Sequence, residues 1–447
     1  MIPPKPPARS GKPSLWRFIR DFRRDILSAQ SGKLYRAWMA EFKSPLIHSF
    51  TCNDPALLDL ILKKRPLDFP KSGRMAAGLT PLLGNSSFIS NGETWRHQRR
   101  IIDPAFEGGR LREAFPAMLA ASDAAVARIA PLATGHEIDI EPETAHVAAD
   151  VIFRTLFSLP IEDETASGVF TAFRAHQDAQ PMVNLGGLMA LPRWLHFHSR
   201  RTKRTAKHIR GLIERLVRAR AGQIAVGTAP DDLATKIMTT PDPETGTRFT
   251  EVEMVNEVAT FFLAGHETAA SALAWSLYLL SQSPEWQDRV AAEPEVRDFG
   301  GIRNLGAARA VFREALRLYP PVAMTVRECK HAETLRDRQA PKGAQLVISP
   351  FHIHRHERLW DNPDGFDPAR WETENGKACQ RDAFLPFSAG PRACPGAGFA
   401  MIEGPLLLSA LVRAYHIAPG QEVPVPVMRL TLRGKGGIRL KLIPRQA

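Results

Sequence analysis

The sequence predicts a mainly α protein with a smaller β region, and three observations carry that expectation. Helical patterns dominate to about residue 320. One of those helices is long and apolar on every side. Period-two alternation appears only in short pieces, chiefly at the carboxyl end.

No internal repeat or long linker divides the chain, so residues 1–447 read as one domain, opened by a Pro-rich, basic extension over 1–35. A hydrophobic content of 44% is enough to give a chain of this length a large core. Strand signals lie near residues 47–51 and 344–348. Met428–Arg433 and Ile438–Leu442 alternate apolar with basic residues, and Gly434-Lys435-Gly436-Gly437 between them is a hairpin signal.

The most informative helix begins at Thr250. Thr250-Glu251-Val252-Glu253 is a capping box, and Ser283-Pro284 marks the stop. The segment between would span about 48 Å at 1.5 Å per residue. Phe261, Phe262, Leu263 and Ala264 run consecutively, so the helix should cross the interior. Gly265-His266-Glu267-Thr268 interrupts that apolar centre. A buried carboxylate and hydroxyl need partners or a wet cavity, and Gly at mid-helix costs about 1 kcal/mol against Ala. A ligand pressed against the helix explains this group better than a satisfied polar cluster.

The formal charge of +12 is partly amino-terminal (Lys5, Arg9, Lys12, Arg17, Arg20, Arg23, Arg24) and partly between Arg200 and Arg220. It reads as a solvated helix face, or as attraction to an acidic electron donor, a membrane surface or nucleic acid. No aromatic interleaving or recognition motif supports nucleic acid. The four cysteines form no CxxC pair, which leaves reduced thiols and a cytoplasmic protein as the expectation. The amino terminus has no apolar run approaching the roughly 20 residues of a membrane span, so no transmembrane anchor is expected.

Cys52, Cys329 and Cys379 read as inert core. Cys394 does not. Phe387-Ser388-Ala389-Gly390-Pro391-Arg392-Ala393-Cys394-Pro395-Gly396 is a sharp Gly/Pro loop that delivers a thiol to the start of the apolar helix Phe399–Val412. Helix-terminal N–H groups and Arg392 there favour the thiolate.

Position by position, Phe387, Gly390, Arg392, Cys394, Gly396 and Ala400 resemble the cysteine-ligand loop of the cytochrome P-450 family. Three further matches follow the family's order. Glu314-Ala315-Leu316-Arg317 resembles its ExxR helix, with Arg370 in Phe366-Asp367-Pro368-Ala369-Arg370-Trp371 as the third member of a buried triad. Trp95-Arg96-His97-Gln98-Arg99 resembles its WxxxR helix, and Ala264-Gly265-His266-Glu267-Thr268 its oxygen-activation motif. The resemblance spans about residues 80–440.

It implies a soluble, bacterial-type heme-thiolate monooxygenase. Heme b (iron protoporphyrin IX) would lie between the long helix, at Ala264, and the loop of Phe387 and Gly396, with Cys394 as the axial iron ligand. Trp95, Arg99, Arg392 and Arg327 fall where the family binds heme propionates. Thr268 would hydrogen-bond and order water beside the bound oxygen, and Glu267 would relay protons from solvent. A thiolate ligand pushes electron density through the iron and favours O–O cleavage, so the expected reaction is O2-dependent hydroxylation of an apolar small molecule. The chain leaves no room for a flavin domain, so electrons are expected from a ferredoxin with its reductase, or another flavoprotein, approaching Arg381 and Arg392. A monomer is expected.

A peroxide-using peroxygenase or an isomerase on the same fold is one rival, but such members generally lack the acid–alcohol pair present here as Glu267 and Thr268. A non-catalytic heme sensor is another, and a nucleic-acid binder a third. Substrate choice should lie in residues 70–90 and 176–200, where Met182–Leu191 is apolar and Gly-broken, as in a mobile lid or in core packing.

Overall fold

The computed structural model describes residues 1–9, 20–21, 25–44, 47–179 and 199–445. Met182–Leu191, and Lys12, Arg17, Arg23 and Arg24 of the basic extension, lie outside the described residues.

The helices that shape the site are α1 (Gly73–Leu83), α2 (Gly92–Ile102), α3 (Arg110–Ile129), α4 (Glu141–Phe157), α5 (Glu164–Ala179), α6 (Arg200–Ala225), α7 (Glu251–Ser281), α8 (Gly306–Leu318) and α9 (Ala397–Ala414). α7 starts where its cap dictates. Thr250 Oγ1 accepts from the Glu253 N–H at 3.3 Å, and the Glu253 carboxylate accepts from the Thr250 N–H at 2.9 Å. Its 31 residues are buried on several faces, with α4, α6, α8 and α9 packed around it. α3, with the turn after it, and α9 are long and apolar enough to cross a membrane; here they pack on one another, with Phe399, Leu406, Leu407 and Leu411 of α9 buried.

The β region is small. Strands β1 (Met39–Lys43), β2 (His48–Cys52), β3 (Glu137–Asp139), β4 (Thr325–Glu328), β5 (Gln345–Ile348), β6 (Tyr415–Pro419), β7 (Pro426–Met428), β8 (Leu432–Gly434) and β9 (Arg439–Pro444) form most of it. A four-stranded sheet runs β1-β2-β5-β4, with Phe50 opposite Leu346 and Leu346 opposite Arg327. This sheet carries Arg327 to the site.

The expected hairpin between Met428–Arg433 and Ile438–Leu442 does not form. β8 turns back onto β7, pairing Leu432 with Met428, while β9 joins β6 and β3. Gly436 and Gly437 both have positive φ, and the Ile438 N–H donates to Asp139 at 3.1 Å, which sends the chain away from β8.

The triad forms as its spacing implies. Arg317 donates to both Glu314 carboxylate oxygens at 2.7 and 2.9 Å, and Arg370 Nε donates to Glu314 at 2.9 Å, with all three side chains buried. The described start of the extension packs against this region. Pro4 O accepts from the Tyr319 hydroxyl at 2.7 Å, and Met1 O from the Phe366 N–H at 3.0 Å.

Candidate functional site: a thiol and a cation cluster around one chamber

The Cys394 loop closes on itself. The Cys394 N–H donates to Phe387 O and the Ala393 N–H to Gly390 O, each at 2.9 Å. Gly390 has φ +69°, and a Cβ there would collide with the Leu62 carbonyl, so only glycine fits the corner. The Cys394 side chain is exposed, yet protein surrounds it. Both hold because its surface opens on an internal chamber of about 1,210 Å³ rather than on bulk water. Burial raises the thiol above its ordinary value; a hydrogen bond from the Gly396 N–H, with Arg99 and Lys71 nearby, pulls the other way. The Gly396 N–H is one of the helix-terminal donors that the sequence anticipates for a thiolate at this position.

Cations gather on the same chamber. Arg327 is buried at 3% exposure, its Nη1 has no hydrogen-bond partner among the described residues, and burial pushes it down to about 10. Arg392 stacks 4.1 Å over the Trp95 ring and donates to Ser90 O at 3.0 Å and Asn91 Oδ1 at 2.8 Å. Burial, then Arg327 and Arg99, push it down to about 9. Arg99 reaches Ala393 O at 2.9 Å and Asp103 at 2.5 Å. Lys71, which the sequence reading did not single out, donates to Phe88 O, and burial and the three arginines hold it well below its usual value. Among the described residues Asp103 offsets Arg99, but no carboxylate pairs with Lys71, Arg327 or Arg392. Uncompensated buried cations are expensive, so this wall fits a ligand carrying carboxylates. Trp95 itself lies behind Arg392, off the chamber wall.

On α7, Ala264, Gly265, Glu267 and Thr268 line the chamber. Thr268 Oγ1 donates to Ala264 O at 2.5 Å. Glu267 is 2% exposed; it pairs with Arg433 of β8, and accepts from Gln177 and, at 3.0 Å, from Thr431. His266 points into a ring cluster with Phe173 and Phe262, its Nδ1 donating to Phe262 O at 2.6 Å. Gly265 is packed closely as well as facing the chamber: a Cβ there would meet the Ile152 side chain of α4 at 2.5 Å. Gln177, Thr431 and Arg433 carry no motif and were missed. So was Glu403, a buried acid on the chamber wall.

A family profile described as Cytochrome P450 matches residues 26–442. The chain belongs to the cytochrome P450 family.

It is 32% identical over 377 residues to a cyclooctat-9-en-7-ol 5-monooxygenase of Streptomyces melanosporofaciens, covering 82% of this chain and 80% of that one. It is 30% identical over 402 residues to a cytokinin hydroxylase of Arabidopsis thaliana, covering 86% and 77%. The crystal structure of the cytochrome P450DA heme domain superposes with a TM-score of 0.81 at 23% identity, over 100% of this chain and 97% of that one; this likeness speaks to the fold. The chain is thus a P450 monooxygenase that binds heme b and uses O2, a redox partner and an organic substrate. The chamber suits that cofactor: one wall offers a presented thiol, another an unpartnered cation at Arg327 for its propionates.

Proposed function

We propose that this P450, one heme domain over 1–447, hydroxylates an apolar small molecule with Cys394 as the iron's axial ligand. Arg99, Arg327, Arg392 and Lys71 hold the propionates, and Trp95 backs Arg392. Phe387 and Gly396 shape the ligand loop, and Ala264, on α7 across the same chamber, would leave room for the heme. The bound heme supplies O2 activation and oxygen transfer; the chain supplies the ligand, the protons and the dry pocket. Thr268 Oγ1, which donates to Ala264 O, would turn to donate into the chamber, and the Glu267 carboxylate, on the same wall and paired with the one-third-exposed Arg433, would relay protons from solvent. Leu79, Leu83, Phe88, Phe261, Leu263 and Met324 support an apolar substrate.

Electrons come from a separate ferredoxin, served by a reductase. Arg381 is exposed near the loop and suits an acidic donor, whereas Arg392 faces inward on Trp95 and is withdrawn from that role. The three other cysteines are free and buried, in keeping with a reduced, cytoplasmic monomer.

The observation that carries this reading is the presented Cys394 thiol sharing one chamber with uncompensated cations. Its test is C394A: the reduced, CO-bound protein should lose the thiolate-type absorption. Retention of that absorption would exclude Cys394 as the ligand. Turnover with peroxide alone, against turnover with NAD(P)H, ferredoxin and reductase, separates a peroxygenase from the monooxygenase.

A further inference from the structure

His354 lies outside every motif used so far. It follows the short helix Pro350–Ile353 and is 0% exposed. Its ring touches two elements that the chemistry keeps in register. Nδ1 lies 3.2 Å from the carbonyl of Arg317, at the end of α8, and Nε2 lies 2.8 Å from the backbone N–H of Leu385, two residues before the cysteine loop.

The partners fix the tautomer. A carbonyl can only accept, so Nδ1 carries the proton; an N–H can only donate, so Nε2 presents a lone pair. Burial and the Arg317 guanidinium push the imidazole down to about 3, so it keeps that state at working pH. The return contact is made by Arg317 Nη1, which donates to His354 O at 2.9 Å. From Leu385 a backbone chain continues to the thiol residue: the Ser388 N–H donates to Leu385 O at 3.1 Å, and the Cys394 N–H to Phe387 O at 2.9 Å. Phe384 flanks the ring at 5.2 Å. The buried triad and the cysteine loop thus meet through one side chain that accepts from one and donates to the other.

We propose that His354 is a positioning residue for the sulfur ligand: it anchors Leu385, two residues before the loop, to α8 and so fixes where Cys394 would be presented to the iron. This rests on Cys394 being the ligand. Remove the ring and the Leu385 N–H is left buried without an acceptor, a loss that falls beside the loop rather than on the distant core.

Two substitutions separate positioning from packing. In H354Q the amide can offer an oxygen to Leu385 and an N–H to Arg317; in H354L the space is filled and both bonds are lost. In purified holoprotein, the reduced CO-bound form is followed over time as it passes from thiolate-type to neutral-thiol-type absorption. H354L should convert roughly ten-fold faster than wild type at equal heme content, the scale of one orphaned buried N–H, and H354Q should stay close to wild type. Equal rates in wild type and H354L, or no rescue by glutamine, overturn the proposal. Should H354L fail to fold, hydrogen exchange of the wild-type Leu385 amide decides: protection comparable to α8 core amides supports the anchor, and exchange at a free-loop rate refutes it. C394A keeps the two readings apart. If it retains thiolate-type absorption the ligand assignment fails; if it loses that absorption while H354L is unchanged, only the role of His354 fails.

Discussion

Replacing Glu403 by glutamine should make the protein more stable in alkali and leave it nearly unchanged in mild acid. Glu403 sits on α9, 3% exposed, with Oε1 lacking any hydrogen-bond partner among the described residues. Burial pushes its carboxyl from 4.5 up to about 8. The sign follows from proton counting. Above its ordinary value the unfolded chain gives up this proton while the folded protein keeps it, so stability falls as pH rises from about 4.5 to about 8 and then levels off. At about 1.4 kcal/mol per pH unit, the ceiling is roughly 5 kcal/mol. Water and side-chain relaxation around the charge reduce that to about 2–3 kcal/mol. For a chain of this size 1 kcal/mol moves the melting temperature by about 1 °C. Thermal unfolding of holoprotein at pH 5 and pH 9 should therefore show E403Q gaining about 2 °C on wild type between the two. Other titrating groups cancel in the difference. Parallel losses in the two proteins would mean that the acid is solvated and that the burial argument is wrong.

Arg327→Met should act with opposite signs on the two states: the heme-free protein loses an unpaired buried charge and gains about 1–3 kcal/mol, while heme transfer to a scavenging globin speeds up by roughly ten-fold as one propionate contact disappears. If heme loss is unchanged, Arg327 does not hold the cofactor. Gly390→Ala should cost about 3 kcal/mol or more, read from denaturant unfolding, because the corner is left-handed and its Cβ runs into the Leu62 carbonyl; a neutral result would show that the loop can shift. Arg433→Met strips the buried Glu267 of its cation and should cost about 1–3 kcal/mol. Combining it with E267Q should recover most of the loss, and simple additivity of the two would show that the pair is not coupled.

What the sequence revealed was local. The cap at Thr250, the ExxR spacing and the Gly/Pro loop at Cys394 each fix their geometry within a few residues, and the structure keeps all three. The misreadings involve partners distant in sequence. Gly434–Gly437 looks like a hairpin turn, yet β9 finds a better neighbour in β6, twenty residues earlier in the chain. Gly265 signals a close approach, but not that Ile152, on another helix, is one of the neighbours it admits beside the chamber. Lys71, His354 and Gln177 stand in no pattern, and Arg433 only in a strand signal; folding brings them to the loop, the cation cluster and Glu267.

Three buried carboxylates show how partners, rather than burial, assign a role. Glu314 receives four donors: two from Arg317, one from Arg370 and the Asp367 N–H at 3.1 Å. Three of the four donors fall on Oε1 and one on Oε2, and both arginines are buried, so this acid serves to hold structure in place. Glu267 is equally buried, but its cation, Arg433, is one-third exposed, and Gln177 and Thr431 are neutral partners, which is the environment the proposed proton relay requires. Glu403 has no cation paired with it among the described residues and stays neutral to about pH 8. Swapping environments should swap roles: a basic residue placed against Glu403 would ionise it, whereas Arg433→Met would close the exposed end of the Glu267 relay. That relay matters only if it works with Thr268, so the loss of coupling between O2 consumption and product in Arg433→Met should be no greater in a Thr268→Ala background than in Thr268→Ala alone. Fully additive losses would place Arg433 and Thr268 on separate paths.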